Sequence, residues 1–332
     1  SSARVSVEMP VTTSAPEASP VSTEPPVASR ISRRVKLARF FGMGVAAEKG
    51  ALFQALPAWG YAVGNIESDW VRGELARAKA EHRLTYGFQN DADARVIARN
   101  LDGLTRSRVT LELRSPAAPL RTLEFTTPLL GEAGALACAA ALLAAETTLR
   151  RPISAEEASL AFAKADVGAG AGRLVPVKLA DGLLLIDDSY NANPASSAAS
   201  IRAASEIARA AKRRLILVLG EMRELGAEAA RGHELVGDAA GASGAEEVIA
   251  VGGEAVRIAE RAAIGGVHAT FAEDAAEASE VALRVALPGD VVLVKGSRAV
   301  ATEKVARALI EAHGGVAKGG ALETLSGEGI DE

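Results

Sequence analysis

The chain has 332 residues, enough for about two domains of ordinary size, and a formal net charge of −5. Charges of both signs are spread along it, so it lacks the basic excess that a nucleic-acid surface needs. Hydrophobic residues make up 48% and aromatic residues 4%, which favours helices packed on sheets through small side chains over an aromatic-rich sandwich. Its single cysteine, Cys138, excludes an internal disulfide or a Cys-based zinc site and fits a reducing cytoplasm.

Residues 1–30 hold five prolines and ten Ser/Thr, with no Leu, Ile or Phe. Such a segment cannot offset its own ordering entropy, so 1–35 is expected to be a disordered, low-complexity stretch. Arg30, Arg33, Arg34, Lys36 and Arg39 form a charge run that reads as solvated surface. The start carries no apolar stretch of the kind a secretory signal has. Val45–Leu56 is expected to be helical up to Pro57, followed by a strand at Tyr61–Asn65, a helix at Trp70–His82 and a strand at Leu84–Phe88. Val96–Leu101, Arg108–Leu113 and Arg121–Thr126 alternate as strands do. Gly134–Thr148 is a helix of small and apolar residues and is expected to be buried. The longest apolar stretch, Leu129–Ala145, is interrupted by Glu132 and two glycines, so no membrane span is expected. Ser154 with Glu157 three residues on is a capping box that opens a helix at Ala155–Ala165.

The second half alternates strictly. Strands are expected at Leu183–Asp187, Leu215–Leu219, Glu247–Val251, His268–Phe271 and Val291–Val294. Helices follow at Ala198–Ala211, Ala227–Ala240, Glu254–Ala263, Ala275–Ala286 and Thr302–His313, and the Gly-rich tail 314–332 is expected to be flexible. This β-α order implies an α/β fold with a mostly parallel, Rossmann-like sheet covered on both faces.

Three strings stand where the strands of such a sheet end, which is where ligands bind. In the first, Leu183–Pro194 (LLLIDDSYNANP), Asp188, Ser189, Asn191 and Asn193 fall beyond the strand. A carboxylate there can hold ribose hydroxyls and an Asn amide can read a base edge. The same residues equally make an Asx-turn into a helix. In the second, Val291–Arg298 (VVLVKGSR), Lys295 and Arg298 are candidate anion ligands, or else the turn is merely solvated. The third, Leu219–Gly226 (LGEMRELG), is a glycine-marked turn on the same edge, followed by His233. A lone histidine of this kind reads as a structural hydrogen-bonder before a catalyst. Gly42–Ala47 formally fits a dinucleotide fingerprint but has no strand before it, and the four histidines show no zinc-ligand spacing.

Taken together, DDSYNANP, LGEMRELG, His233, the turn Val251-Gly252-Gly253 and KGSR resemble, in order and spacing, the Mur ligases, and within them the branch that adds D-Ala-D-Ala. Gly44–Phe53, Ala62–Asn65 and Gly172-Arg173-Leu174 extend the resemblance upstream. It implies an incomplete central domain at 36–172 and a C-terminal domain at 173–313. It implies a cytoplasmic, monomeric ATP-dependent amide ligase of peptidoglycan precursor synthesis, joining UDP-MurNAc-tripeptide to D-Ala-D-Ala through an acyl phosphate with Mg²⁺. By the same resemblance Lys49 is a carbamylated lysine that holds Mg²⁺, a carbamate oxygen being the ligand type that ion takes. Arg173 contacts ATP, Asp188 the ribose, and Tyr190, Asn191 and Asn193 line the adenine. Lys295, Ser297 and Arg298 close over the acceptor dipeptide.

The chain also departs from that pattern. The family's Walker-type loop ends in Gly-Lys-Thr/Ser, and no Gly-Lys dipeptide occurs among the 332 residues. The UDP-sugar domain has no counterpart here, and Gly131–Ala137 replaces a His-Asn motif of the family. The alternative expectation is therefore a Mur-like binding protein or fragment that performs no catalysis.

Overall fold

The computed structural model describes residues 48–164, 172–314, 317–318 and 321–322. The low-complexity segment 1–35, the Arg30–Arg39 run, the Gly42–Ala47 string and most of the 314–332 tail lie outside the described residues. Gly50–Glu332 forms one compact unit, and of Ser1–Lys49 only Glu48 and Lys49 are described.

A helical stretch, 48–54, precedes the first sheet. That sheet has the order β1 (Tyr61–Asn65), β2 (His82–Gly87), β3 (Ala94–Asp102), β4 (Arg106–Ser115) and β5 (Ala118–Thr127). The first three strands run parallel and β3–β5 form an antiparallel meander. Helix α1 (Asp69–Arg77) stops five residues short of the expected His82. His82 is needed as the parallel partner of Tyr61, so strand pairing overrides the helix propensity of Lys79–Glu81.

Helix α2 (Gly131–Leu149) lays Ala135, Cys138, Ala139, Leu142 and Leu143 on Val109, Leu111, Leu113 and Phe125 of the meander. On length and composition alone it could cross a membrane, contrary to the expectation for this stretch. It is buried on one face and not all round: Leu149 is exposed on the other. Buried Glu146 fixes its end, accepting from Ser115 Oγ (2.6 Å), Ile153 N–H (2.8 Å) and Arg121. Helix α3 (Ala155–Lys164) starts at the expected box, with Glu157 N–H donating to Ser154 Oγ (3.1 Å) and Ser154 N–H to Glu157 Oε2 (2.9 Å).

The second sheet has the order β10–β9–β8–β11–β7–β6, parallel except for the edge strand β6. Its strands are β6 (Val175–Lys178), β7 (Leu184–Asp188), β8 (Leu215–Gly220), β9 (Glu247–Val251), β10 (His268–Ala272) and β11 (Val291–Lys295). Strand β6 was not expected. Pro176 cannot donate to a ladder, so its segment reads as loop until an edge position makes the missing donor harmless.

Alternation along the central strands sorts side chains to the two faces. Leu184, Ile186, Leu217, Val248, Ala250 and Leu293 meet α4 (Pro194–Ala211), α5 (Ala229–Gly241) and α6 (Val256–Ile264). Leu185, Ile216, Val218, Ile249, Val292 and Val294 meet α7 (Ala275–Val285) and α8 (Glu303–Ala312). Both faces being covered explains why these strands read as unbroken apolar runs. Beyond α8, a two-residue pairing of β12 (Ala317–Lys318) with β13 (Ala321–Leu322) is present in the tail. The two sheets share no paired strand, the first ending at Thr127 and the second beginning at Val175, yet both belong to the one unit.

Candidate functional site

The last strand of the second sheet in sequence, β11, lies between β7 and β8. The chain leaving β7 and β8 goes to helices on one face, and the chain leaving β11 goes to α8 on the other. Connections that part in this way open a crevice at the carboxyl end of each strand pair. The sequence-predicted residues gather around these crevices.

On the β7 side, Lys295 Nζ donates to Asp188 Oδ2 (2.6 Å) and to the Asn191 carbonyl (2.9 Å). Ser200 Oγ lies 2.5 Å from the same carboxylate oxygen, and Leu174 N–H donates to Oδ1 (3.1 Å). The Lys295 side chain is only 3% exposed, so its ammonium is spent on the 188–191 loop and does not face a ligand. Among the described residues, Oδ1 of Asp188 accepts only the Leu174 N–H, one of the two hydrogen bonds it can take.

The turn 172–174 is tied to this loop twice. Tyr190 N–H donates to the Gly172 carbonyl (3.0 Å), while Leu174 N–H reaches Asp188 as above. A Cβ on Gly172 would meet Ser189 Oγ at 2.8 Å, and its φ of +49° suits glycine. Leu174 also sits at positive φ (+56°), a cost that the two ties sustain. The result puts the Arg173 guanidinium 4.1 Å from the Tyr190 ring centroid, with that of Arg298 5.6 Å from the same ring. Tyr190, Arg173 and Arg298 are all exposed, so two cations lie over one solvent-exposed aromatic ring. Next to them Asp187 is buried and accepts from Ser189 N–H (3.0 Å); burial pushes its carboxyl above the usual carboxylate range.

The two asparagines differ. Asn193 Oδ1 accepts from Ser196 N–H (2.8 Å) and Ser196 Oγ accepts from Asn193 N–H (3.1 Å), a reciprocal box with Pro194 at the first helical position. This box starts α4 four residues before the expected Ala198 and spends one lone pair of the Asn193 side-chain oxygen on the helix start. Asn191 Oδ1 accepts from Ala192 N–H (2.9 Å) on an exposed loop.

On the β8 side, buried Ser297 Oγ accepts from Arg223 N–H (2.9 Å). Sequence reasoning picked out the LGEMRELG turn but missed Glu221 and Arg223 as a pair: Arg223 Nε lies 2.6 Å from Glu221 Oε2. The signal was present, since Glu221, like Asp188, is an acid at the end of a buried apolar strand. His233 is fully buried: Nε2 accepts from Met222 N–H (2.8 Å) and Nδ1 donates to the Ala229 carbonyl (2.6 Å). Both ring nitrogens are thereby used to hold the turn, in keeping with the structural reading. Lys49 belongs to the preceding unit; its exposed ammonium pairs with Glu48 (3.2 Å). Among the described residues no three His, Cys, Asp or Glu converge as metal ligands.

The family described as "Mur ligase, glutamate ligase domain" matches residues 172–298. The UDP-N-acetylmuramoyl-tripeptide–D-alanyl-D-alanine ligase of Escherichia coli is 35% identical over 274 residues, which is 81% of this chain and 56% of that enzyme. The enzyme of the same name from Mycobacterium leprae is 31% identical, over 80% of this chain and 54% of its own length. The chain thus spans about half the length of the curated relatives it matches. The fold is similar to that of Thermotoga maritima MurF ligase solved with ADP (TM-score 0.65, 22% identity), over 82% of this chain and 58% of that one. It is also similar to Acinetobacter baumannii MurF (TM-score 0.63, 24% identity), over 81% and 56% respectively. Residues 172–298 thus form a Mur ligase C-terminal domain, and most of the chain's length is similar to these ligases.

Proposed function

We propose that this chain carries the nucleotide-and-acceptor half of an ATP-dependent ligase that adds D-Ala-D-Ala to UDP-MurNAc-tripeptide in the cytoplasm. Residues 36–172 are then part of the central domain and 173–313 the C-terminal domain. The observation that carries the reading is the convergence of Arg173 and Arg298 on Tyr190 beside the buried Asp188–Lys295 pair. Two exposed guanidiniums suit a phosphate chain, an open ring suits a base, and the spare lone pair of Asp188 Oδ1 suits a ribose hydroxyl. ATP supplies the phosphoryl group that activates the donor carboxylate. The chain's own residues orient the nucleotide and offset its charge, which is where most of the catalysis of phosphoryl transfer lies.

Lys295 acts in this reading as a positioning residue, fixing the loop that carries Tyr190 and Asn191 and not touching the acceptor itself. Mg²⁺ takes few protein ligands and several phosphate or water oxygens. A carbamate on Lys49 supplies one such ligand, and the exposure of its amine leaves room for the adduct. Labelled CO₂ that fails to add to this lysine excludes that role.

Calorimetric titration of ADP tests the nucleotide reading. Arg173→Ala is expected to weaken binding tenfold to a hundredfold, the worth of about 1.5–3 kcal/mol for one charge-assisted contact. Equal affinity for the variant removes Arg173 from the site. One feature favours a second reading for this chain taken alone, binding without turnover: no Gly-Lys dipeptide is present to build the phosphate loop. Phosphate release that depends on UDP-tripeptide and D-Ala-D-Ala, catalysed by the isolated 332-residue chain, would exclude it.

A further inference from the structure

The second crevice, between β8 and β11, carries chemistry that the nucleotide reading does not use. Among the described residues six buried side-chain polar atoms have no hydrogen-bond partner; four lie on strands of the first sheet, and the other two, Glu221 Oε2 and Thr302 Oγ1, lie at this edge. Arg223 Nε is close enough to Glu221 Oε2 for an ion pair, at 2.6 Å, but does not form a hydrogen bond with it. The other carboxylate oxygen receives only a long contact from Glu254 N–H (3.4 Å). Glu221 is therefore an almost buried carboxylate (12% exposed) whose hydrogen-bonding capacity is largely unfilled, under an Arg223 side chain that is 59% exposed. An acid so placed is costly unless a donor completes it.

Glycines let the backbone come close to this carboxylate. Gly252 and Gly253 both have positive φ, and a Cβ on Gly253 would stand 2.4 Å from Glu221 Oε1. Ser297 is bound to the same turn: its Oγ accepts from Arg223 N–H (2.9 Å) and its N–H donates to the Glu221 carbonyl (3.2 Å), and among the described residues its own hydroxyl proton has no acceptor.

We propose that Glu221 and Arg223 form a subsite for a zwitterion, with Glu221 taking the ammonium of the acceptor and Arg223 swinging off it to take the carboxylate. This rests on the reading of the acceptor as D-Ala-D-Ala. It divides the KGSR turn between two tasks: Lys295 serves the nucleotide crevice and Ser297 the acceptor crevice. The ammonium replaces the guanidinium that now covers the carboxylate, so the buried charge stays compensated in both states.

The test is amide NMR of the labelled 332-residue chain, saturated with ADP and titrated with D-Ala-D-Ala. The amides of Arg223, Glu254 and Ser297 are expected to shift, and N-acetyl-D-Ala-D-Ala, which has no ammonium, is expected to bind at least tenfold more weakly. Glu221→Gln is expected to remove this preference for the free amine while leaving ADP affinity unchanged. Arg223→Gln, which removes the charge but keeps an amide donor at this position, is expected to weaken the dipeptide but not its C-terminal amide. Equal binding of the free and acetylated dipeptides, or no dipeptide binding by a chain that binds ADP, overturns the proposal and leaves the nucleotide reading standing. Dipeptide binding with no ADP binding does the reverse.

Discussion

The two sheets each bury a charged network, and the two networks differ in what they leave open. In the first sheet Glu146 takes three donors, from Ser115, Arg121 and Ile153, deep between α2 and the meander. In the second, Asp188 and Lys295 meet at the carboxyl end of β7 and β11, with the exposed Arg173, Tyr190 and Arg298 around them. Burial and charge are alike in the two places. Position at a strand end, and groups beyond the pair that still face outward, are what distinguish a candidate site from a brace.

The sharpest way to break that contrast is to remove one partner from each. Lys295→Met and Glu146→Ala each strand an opposite charge, and each is expected to cost about 3–5 kcal/mol in chemical unfolding. Of the two, only Lys295→Met should abolish ADP binding by the protein that remains folded, because only it releases the 188–191 loop. Loss of binding in Glu146→Ala under folding conditions would erase the distinction.

A smaller effect separates two acids that adjoin in sequence. Asp187 is held protonated to higher pH in the fold than in the unfolded chain, because burial disfavours its charge. Its contribution is thus fully favourable below the unfolded pKa of about 3.9, and is lost as pH rises through the higher folded value. Asp187→Asn keeps an acceptor for Ser189 N–H, so the variant is expected to gain on the parent as pH is raised from mildly acidic to neutral. A difference in unfolding free energy that stays constant over that range would show that Asp187 is not the titrating group.

The smallest expected effect lies in the first sheet. The Cys138 thiol is fully buried against the meander and pushed up to about 11 by that burial, so it should resist thiol reagents at neutral pH until the protein unfolds. Rapid labelling of the native chain would mean that α2 lifts from the sheet, and would weaken the description of that region as a rigid brace.

Much of the fold was legible because both faces of the second sheet are covered. Runs such as Leu215–Leu219 and Val291–Val294 have no other stable reading, and their strands extend the expected bounds by only one residue. What was not legible depends on partners distant in sequence. Val175–Lys178 becomes a strand only because β7 offers an edge, and His82 leaves its helix only because Tyr61 needs a neighbour. In the site, the strings around Asp188 and Lys295 were visible as strand ends. That Lys295 is consumed by Asp188 was not, since nothing local fixes which way a lysine turns at the end of a central strand. Asn193 shows the converse: its N-cap role was written in Asn-x-x-Ser with Pro194 between, and only the prospect of a ligand drew attention away from it.

The central placing of β11 has a consequence for how the chain is made. Asp188 and Lys295 are 107 residues apart in sequence, and β11 pairs with both β7 and β8. Until residues 291–295 emerge from the ribosome, those two strands lack the neighbour that lies between them, and each keeps an unpaired apolar edge. Loop closure over such a span is slow. The nucleotide and acceptor crevices, which share β11 as a wall, therefore appear together and late. A product that ends before Val291 is expected to aggregate through those two edges and not to persist as a half-formed binder.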